Sequence, residues 1–138
     1  MAVDFGDART GLAVCDSGET LATPVAPINE KNFLICAEKV AQAARENRAE
    51  LIVVGLPLNM NGTEGERALK CREFAAIVEE NSGIKTDLWD ERGTTKTAIF
   101  YMNETDTRGK KRKAQLDSAS AAIILQNYID MRRNRGIR

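Results

Sequence analysis

The sequence predicts an α/β fold: a mixed five-stranded sheet, three strands antiparallel and the rest parallel, with helices on both faces. Three observations carry this. The N-terminal segment alternates short apolar runs with Gly- and Ser-containing turns. Phe33, Ala37, Val40, Ala41 and Ala44 then recur at helical spacing in KNFLICAEKVAQAARENR. ELIVVGLP follows as a continuous run rich in β-branched residues, the mark of a strand covered on both faces.

In chain order, a first strand runs to Asp4, and Gly6 to Thr10 turn it into a second, GLAVCD. After the turn at Ser17-Gly18, TLATPVAPI reads as a third strand, its two prolines placing it at a sheet edge. These three form an antiparallel meander. The helix over 31–48 leads to the strand ELIVVGLP and then to the polar loop NMNG. Thr63 with Glu66 reads as a capping box opening a second helix, which Gly83 closes. The strand IKTDLWDE precedes a short helix from Thr94 or Thr95, and after the basic loop TRGKKRK a final helix spans Gln115 to Arg133. The β-α-β units require parallel pairing with right-handed crossovers. Ligand sites in such sheets gather beyond the carboxyl ends of the parallel strands.

No linker or repeat divides the chain, so residues 1–138 are expected to form one domain. An apolar fraction of 43% beside 29% charged residues places it among globular chains. No apolar run has the length to span a bilayer and no leader pattern opens the sequence, so a cytoplasmic protein is expected, without a membrane partner. Cys15, Cys36 and Cys71 are widely spaced among apolar neighbours, as reduced thiols would be. The absence of histidine excludes His-dependent triads and His-ligated zinc, and leaves carboxylates, lysines, backbone dipoles or oxygen-held hard cations for any catalysis. The net charge of zero hides an asymmetry: from Arg108 onward there are nine Lys/Arg against two Asp/Glu. That is either a solvated basic tail or a surface for a polyanion.

Three acids fall at element ends. Asp4 ends the first strand, Asp90 and Glu91 end the last, and Asp117 opens the final helix in line with Ala121, Ile124 and Tyr128. Singly, each has an ordinary reading: strand-end solvation for Asp4 and Glu91, an N-cap for Asp117. If they converge, their repulsion raises their pKa values and destabilises the fold unless a divalent cation joins them. An all-oxygen site without histidine suits Mg2+ or Mn2+, and a pair of such ions suits phosphodiester hydrolysis.

At these residues the chain resembles the YqgF family. VDFGDARTGLAVCD, IVVGLPLNMNGTEG, DERGTT and KRKAQLDSASAAIILQNYID are similar to its successive motifs, in order and over essentially the whole length. The family comprises RuvC-like proteins described as Holliday junction resolvases or pre-16S rRNA nucleases. The resemblance implies an RNase H-like fold and a catalytic, metal-binding set of Asp4, Glu91 and Asp117 holding two ions. Asp90 is the rival to Glu91, since strand alternation turns only one of the pair inward; the DER motif favours Glu91.

Supporting positions follow the same motifs. Arg9 is either a phosphate contact or a solvated hairpin charge. Asn59 and Asn61 lie in a loop that borders the substrate or merely leads into a helix. Arg92 and Thr95 follow the DER acid, Thr95 with a helix cap as its alternative. Arg108, Lys110, Lys111, Arg112 and Lys113 adjoin Asp117, where a run of charge would clamp phosphates without reading sequence. Three departures stand out. Only three residues precede Asp4, Gly93 replaces a common leucine, and Asp7 adds a negative charge where the first motif is often neutral or polar.

The implied activity is hydrolysis of structured nucleic acid, first processing of precursor 16S ribosomal RNA, with branched-DNA resolution or a non-catalytic nucleic-acid-binding module as alternatives. The D-x-G-x-x-x-x-G spacing of Asp4, Gly6 and Gly11 also matches the phosphate loop of actin-like kinases, which need two such domains. Oligomeric state stays open at this point.

Overall fold

The computed structural model describes residues 1–93 and 118–135. Within them, strands β1 (Ala2–Asp4), β2 (Arg9–Cys15) and β3 (Ala22–Asn29) form the expected meander. Helix α1 (Phe33–Glu46), β4 (Ile52–Leu56), α2 (Glu66–Ser82) and β5 (Thr86–Asp90) follow. Glu91–Gly93 make one 3-10 turn, and α3 (Ala119–Asn134) completes the order. The sheet reads β3-β2-β1-β4-β5, with β4 parallel to both β1 and β5. The proline-bearing β3 is an edge strand, and all five residues of β4 are buried, as its β-branched run requires.

Two cores lie on opposite faces of the sheet. Against α1 and α2 pack Val3, Leu12, Ile52, Val54 and Leu56. At the end nearest the carboxyl termini of the strands, Phe5, Phe33 and Phe74 form an aromatic cluster with centroids 4.3–5.6 Å apart. On the other face Ala2, Ala13 and Val53 meet Ala121, Ile124, Tyr128 and other residues of α3. Small residues on the strands let this helix approach closely. Tyr128 also donates to Asp87 Oδ2 at 2.9 Å and meets the Trp89 ring edge-on, fixing the helix to β5.

The start of α3 is anchored in an unusual way. Register shifts between Thr10 and Leu12, so β3 carries a bulge, its Ala26 and Pro27 standing opposite the single residue Gly11. There Leu12 N–H donates to Ser118 Oγ at 3.2 Å, and Ser118 Oγ–H donates to Val25 O at 2.7 Å. The fully buried hydroxyl thus stands inside the β2–β3 ladder, bridging the paired residues Leu12 and Val25. Ser118 occupies the N-cap position, yet its side chain makes no cap bond.

Three boundaries differ from expectation. The Thr63–Glu66 capping box does not form: Gly65 is the N-cap and Glu66 the first helical residue. Thr63 is held in the loop instead, its hydroxyl donating to Asn61 Oδ1 at 2.6 Å and accepting from Asn59 Nδ2 at 3.0 Å. The final helix begins at Ala119, later than Gln115, because Ser118 is committed to the sheet. Glu91 leaves β5 for the 3-10 turn, so its direction is set by that turn and not by strand alternation. Gly83 closes α2 with φ 72°, as anticipated. The short helix expected from Thr94 or Thr95 lies outside the described residues.

Candidate active site

Because β1, β4 and β5 are parallel, their carboxyl ends emerge together. Asp4 is the last residue of β1. Ala2 and Val53 face α3, and alternation puts Asp4 and Gly55 on that same face. Ala2 pairs with Val53 and Val3 with Val54, so Gly55 comes next to Asp4 one step further along. Gly55 in turn pairs with Trp89, two residues before Glu91.

The missing side chain of Gly55 admits the second acid. A Cβ there would stand 3.0 Å from Glu91 Cδ, 3.1 Å from Glu91 Oε1 and 2.7 Å from Ile124 Cδ1. The Glu91 carboxyl therefore lies over the β4 backbone on the α3 side, between the ends of β5 and β1. Two acids far apart in the chain share one half-buried spot.

Their electrostatics follow from this placement. Burial raises the Asp4 carboxyl above the usual range, opposed by the Arg67 charge and a hydrogen bond with Ser120. Glu91 is pushed up to about 7, first by burial and then by the Asp4 charge, with Arg67 again opposing. Asp90 behaves oppositely. Arg92 donates to it through Nε and Nη2 at 2.8–3.1 Å and through the backbone N–H at 2.9 Å, holding its carboxyl below the usual range. Asp90 is thus satisfied outside the pair, and Glu91 is the inward acid.

The other expected positions divide. Arg92 also donates to Met60 O at 3.2 Å and lies against Gly62, so it ties the DER turn to the NMNG loop. In that loop Asn61 Oδ1 accepts from Thr63 N–H at 3.1 Å, Gly62 takes φ 87°, and Gly62 N–H donates to Asn59 O at 2.8 Å. Asn59 and Asn61 build the loop's shape. Arg9 is exposed at the start of β2. Gly6 is required in the hairpin, since a Cβ would fall 2.0 Å from Arg9 O. Asp117, Thr95, Arg108, Lys110, Lys111, Arg112 and Lys113 lie outside the described residues.

Sequence reasoning missed Gly55, Ser120 and Arg67. A glycine inside a β-branched run marks a close approach, which was the available signal for Gly55. Nothing in the sequence marked Arg67. Its Nη1 donates to Asp7 Oδ1 at 2.8 Å, its Nη2 donates to Phe5 O, and Cζ stands 5.0 Å over the Phe5 ring.

The architecture is RNase H-like, and the fold of RuvC resolvases matches it. Thermus thermophilus RuvC, solved in complex with a Holliday junction substrate, superposes with a TM-score of 0.62 at 15% identity over 96% of this chain and 93% of that one. Fowlpox virus resolvase with Holliday junction DNA gives 0.52 at 12% identity, over 95% and 99%. The chain belongs to the RuvX family, described as Holliday junction resolvase, whose model matches residues 1–131. Curated relatives named "Putative pre-16S rRNA nuclease" include one from Nitrosospira multiformis, 38% identical over 96% of this chain and 87% of its own. Others are from Heliobacterium modesticaldum (40%; 94% and 87%) and Thermoanaerobacter pseudethanolicus (38%; 98% of each).

Proposed function

We propose that this protein is a divalent-metal-dependent endonuclease that hydrolyses phosphodiester bonds in structured nucleic acid, with precursor 16S ribosomal RNA as its substrate. The observation that carries the reading is the Asp4–Glu91 pair over Gly55, two half-buried carboxyls whose pKa values burial raises, Glu91's further through the Asp4 charge. The relatives' names supply the substrate.

The donor set fits a hard cation. Both groups offer only oxygen, and the penalty of ionising them together is what a divalent ion removes. Among the described residues no three His, Cys, Asp or Glu side chains are grouped to hold a metal. We assign the third ligand to Asp117. The Ser118 bridge supports this, because it ties the next residue along the chain to Leu12, and Leu12 neighbours Gly11, the partner of Asp4. When bound, a pair of Mg2+ or Mn2+ ions supplies activation of water on one side of the phosphodiester and charge stabilisation of the leaving oxygen on the other. The chain's own part is to hold the carboxylates: Gly55 leaves room for Glu91, Ser120 orients Asp4, and Arg92 keeps Asp90 away. Substrate contacts are assigned to Arg9, Thr95 and the basic run Arg108, Lys110, Lys111, Arg112 and Lys113 as a phosphate clamp. Asn59, Asn61 and Arg92 shape the loop bordering the substrate. Two free cysteines are buried and one half-buried, and no described helix is long and apolar enough to cross a membrane. Both accord with work in the cytoplasm.

Branched DNA is the second reading, favoured by the family's description. Purified protein offered a pre-16S rRNA fragment and a four-way DNA junction, with Mn2+ or with EDTA, tests both. Metal-dependent RNA cleavage is expected. Cleavage of the junction alone reverses the order, and cleavage of neither removes the nuclease reading.

A further inference from the structure

We propose that Arg67 and Lys70 form a binding subsite for a nucleic-acid backbone phosphate beside the acidic pair, and that Asp7 occupies it in the free protein and is displaced when nucleic acid binds. The inference rests on the nucleic-acid reading above and adds a site and a competitor to it.

Arg67 and Lys70 stand one turn apart on α2, so they project from the same side of the helix. Both reach one atom: Asp7 Oδ1 accepts from Arg67 Nη1 at 2.8 Å and from Lys70 Nζ at 3.3 Å. Neither cation depends on that carboxylate for its position. Arg67 lies 5.0 Å over the Phe5 ring, and Lys70 Nζ lies 5.7 Å from the centroids of both Phe5 and Phe33. These rings are fixed against Phe74 in the core, Phe5 stacked on it and Phe33 meeting it edge-on. Two cations held over aromatic faces and converging on a single oxygen make a preformed anion seat.

The present occupant is easily exchanged. The Asp7 side chain is 75% exposed at the hairpin tip, and exposed ion pairs contribute little. A phosphodiester carries the same charge with two free oxygens, one for each cation, and its binding gains from counterion release. The location suits a strand entering the site, since the Arg67 charge reaches both Asp4 and Glu91.

The test is binding of a labelled RNA stem and of a four-way DNA junction by fluorescence anisotropy, in EDTA so that no cleavage occurs, between 50 and 300 mM salt. Asp7→Asn is expected to tighten binding about threefold at low salt and to steepen the slope of log K against log salt by about 0.7–0.9. Lys70→Met, which keeps an apolar stem over the rings, is expected to weaken binding and flatten the slope by a similar amount. Melting temperatures near the parent value show that fold is not the cause. Both shifts on one substrate assign the subsite to that substrate. Absence of either shift on both substrates overturns the proposal. Failure of the nuclease reading shows separately, as absent cleavage with Mn2+ whatever the binding.

Discussion

Gly55→Ala isolates the geometry on which the proposed catalysis depends. The added methyl would sit 3.0 Å from Glu91 Cδ and 2.7 Å from Ile124 Cδ1. Carbon atoms prefer 3.5–4.0 Å, so the Glu91 carboxyl must retreat by about 0.5–1 Å. A misplacement of about 1 Å in a catalytic group lowers turnover by about 100-fold. Overpacking against Ile124 costs about 1–3 kcal/mol, read as a melting temperature several degrees lower. The two effects separate in a second variant. Ile124→Val removes Cδ1, so Gly55→Ala/Ile124→Val should regain stability while Glu91 stays displaced. The assay is single-turnover cleavage of the pre-16S rRNA fragment at saturating Mn2+, beside thermal denaturation. Cleavage by Gly55→Ala at the parent rate, in folded protein, would refute the placement of Glu91 as a metal ligand.

Four further outcomes are expected. Asp4→Asn should abolish cleavage while leaving RNA binding intact or stronger, measured by anisotropy beside the cleavage assay. Since Glu91 titrates near pH 7 against an ordinary value of 4.5, protons compete with the cation below neutrality. Mn2+ affinity by calorimetry should therefore rise with pH through about 7, and this rise should vanish in Glu91→Gln. The sign for the metal-free protein is the reverse: a carboxyl with a raised folded pKa loses native-state stability as pH climbs from 4.5 to 7, so Glu91→Gln should raise the melting temperature at pH 8 and not at pH 4. Ser118→Ala should cost about 1–3 kcal/mol, because Leu12 N–H and Val25 O lose their shared bridge, and hydrogen exchange at Leu12 should accelerate.

The sheet was legible because its signals are local. Unbroken β-branching marked β4, prolines marked the β3 edge, and helical periodicity marked α1. Asp4 and Glu91 were legible as motif residues, and their sharing one spot follows from topology that the β-α order already implied. What escaped depends on contacts between distant segments. Thr63 had the chemistry of a cap, yet Asn59 and Asn61 claim its hydroxyl within the loop. Ser118 stood where a cap belongs, yet a bulge across the molecule offers its hydroxyl two buried partners. Arg67 is an ordinary helix-surface residue until folding sets it beside Phe5 and Asp7. Periodicity reports which face is buried and is silent on which polar atoms meet there.

The prolines of β3 bear on how two molecules could ever work together. A strand lacking N–H groups at Pro24 and Pro27 offers an incoming neighbour an interrupted row of donors. Copies of this chain would therefore not extend the sheet through β3, which leaves β5, the helices and the loops as the surfaces through which two protomers could meet.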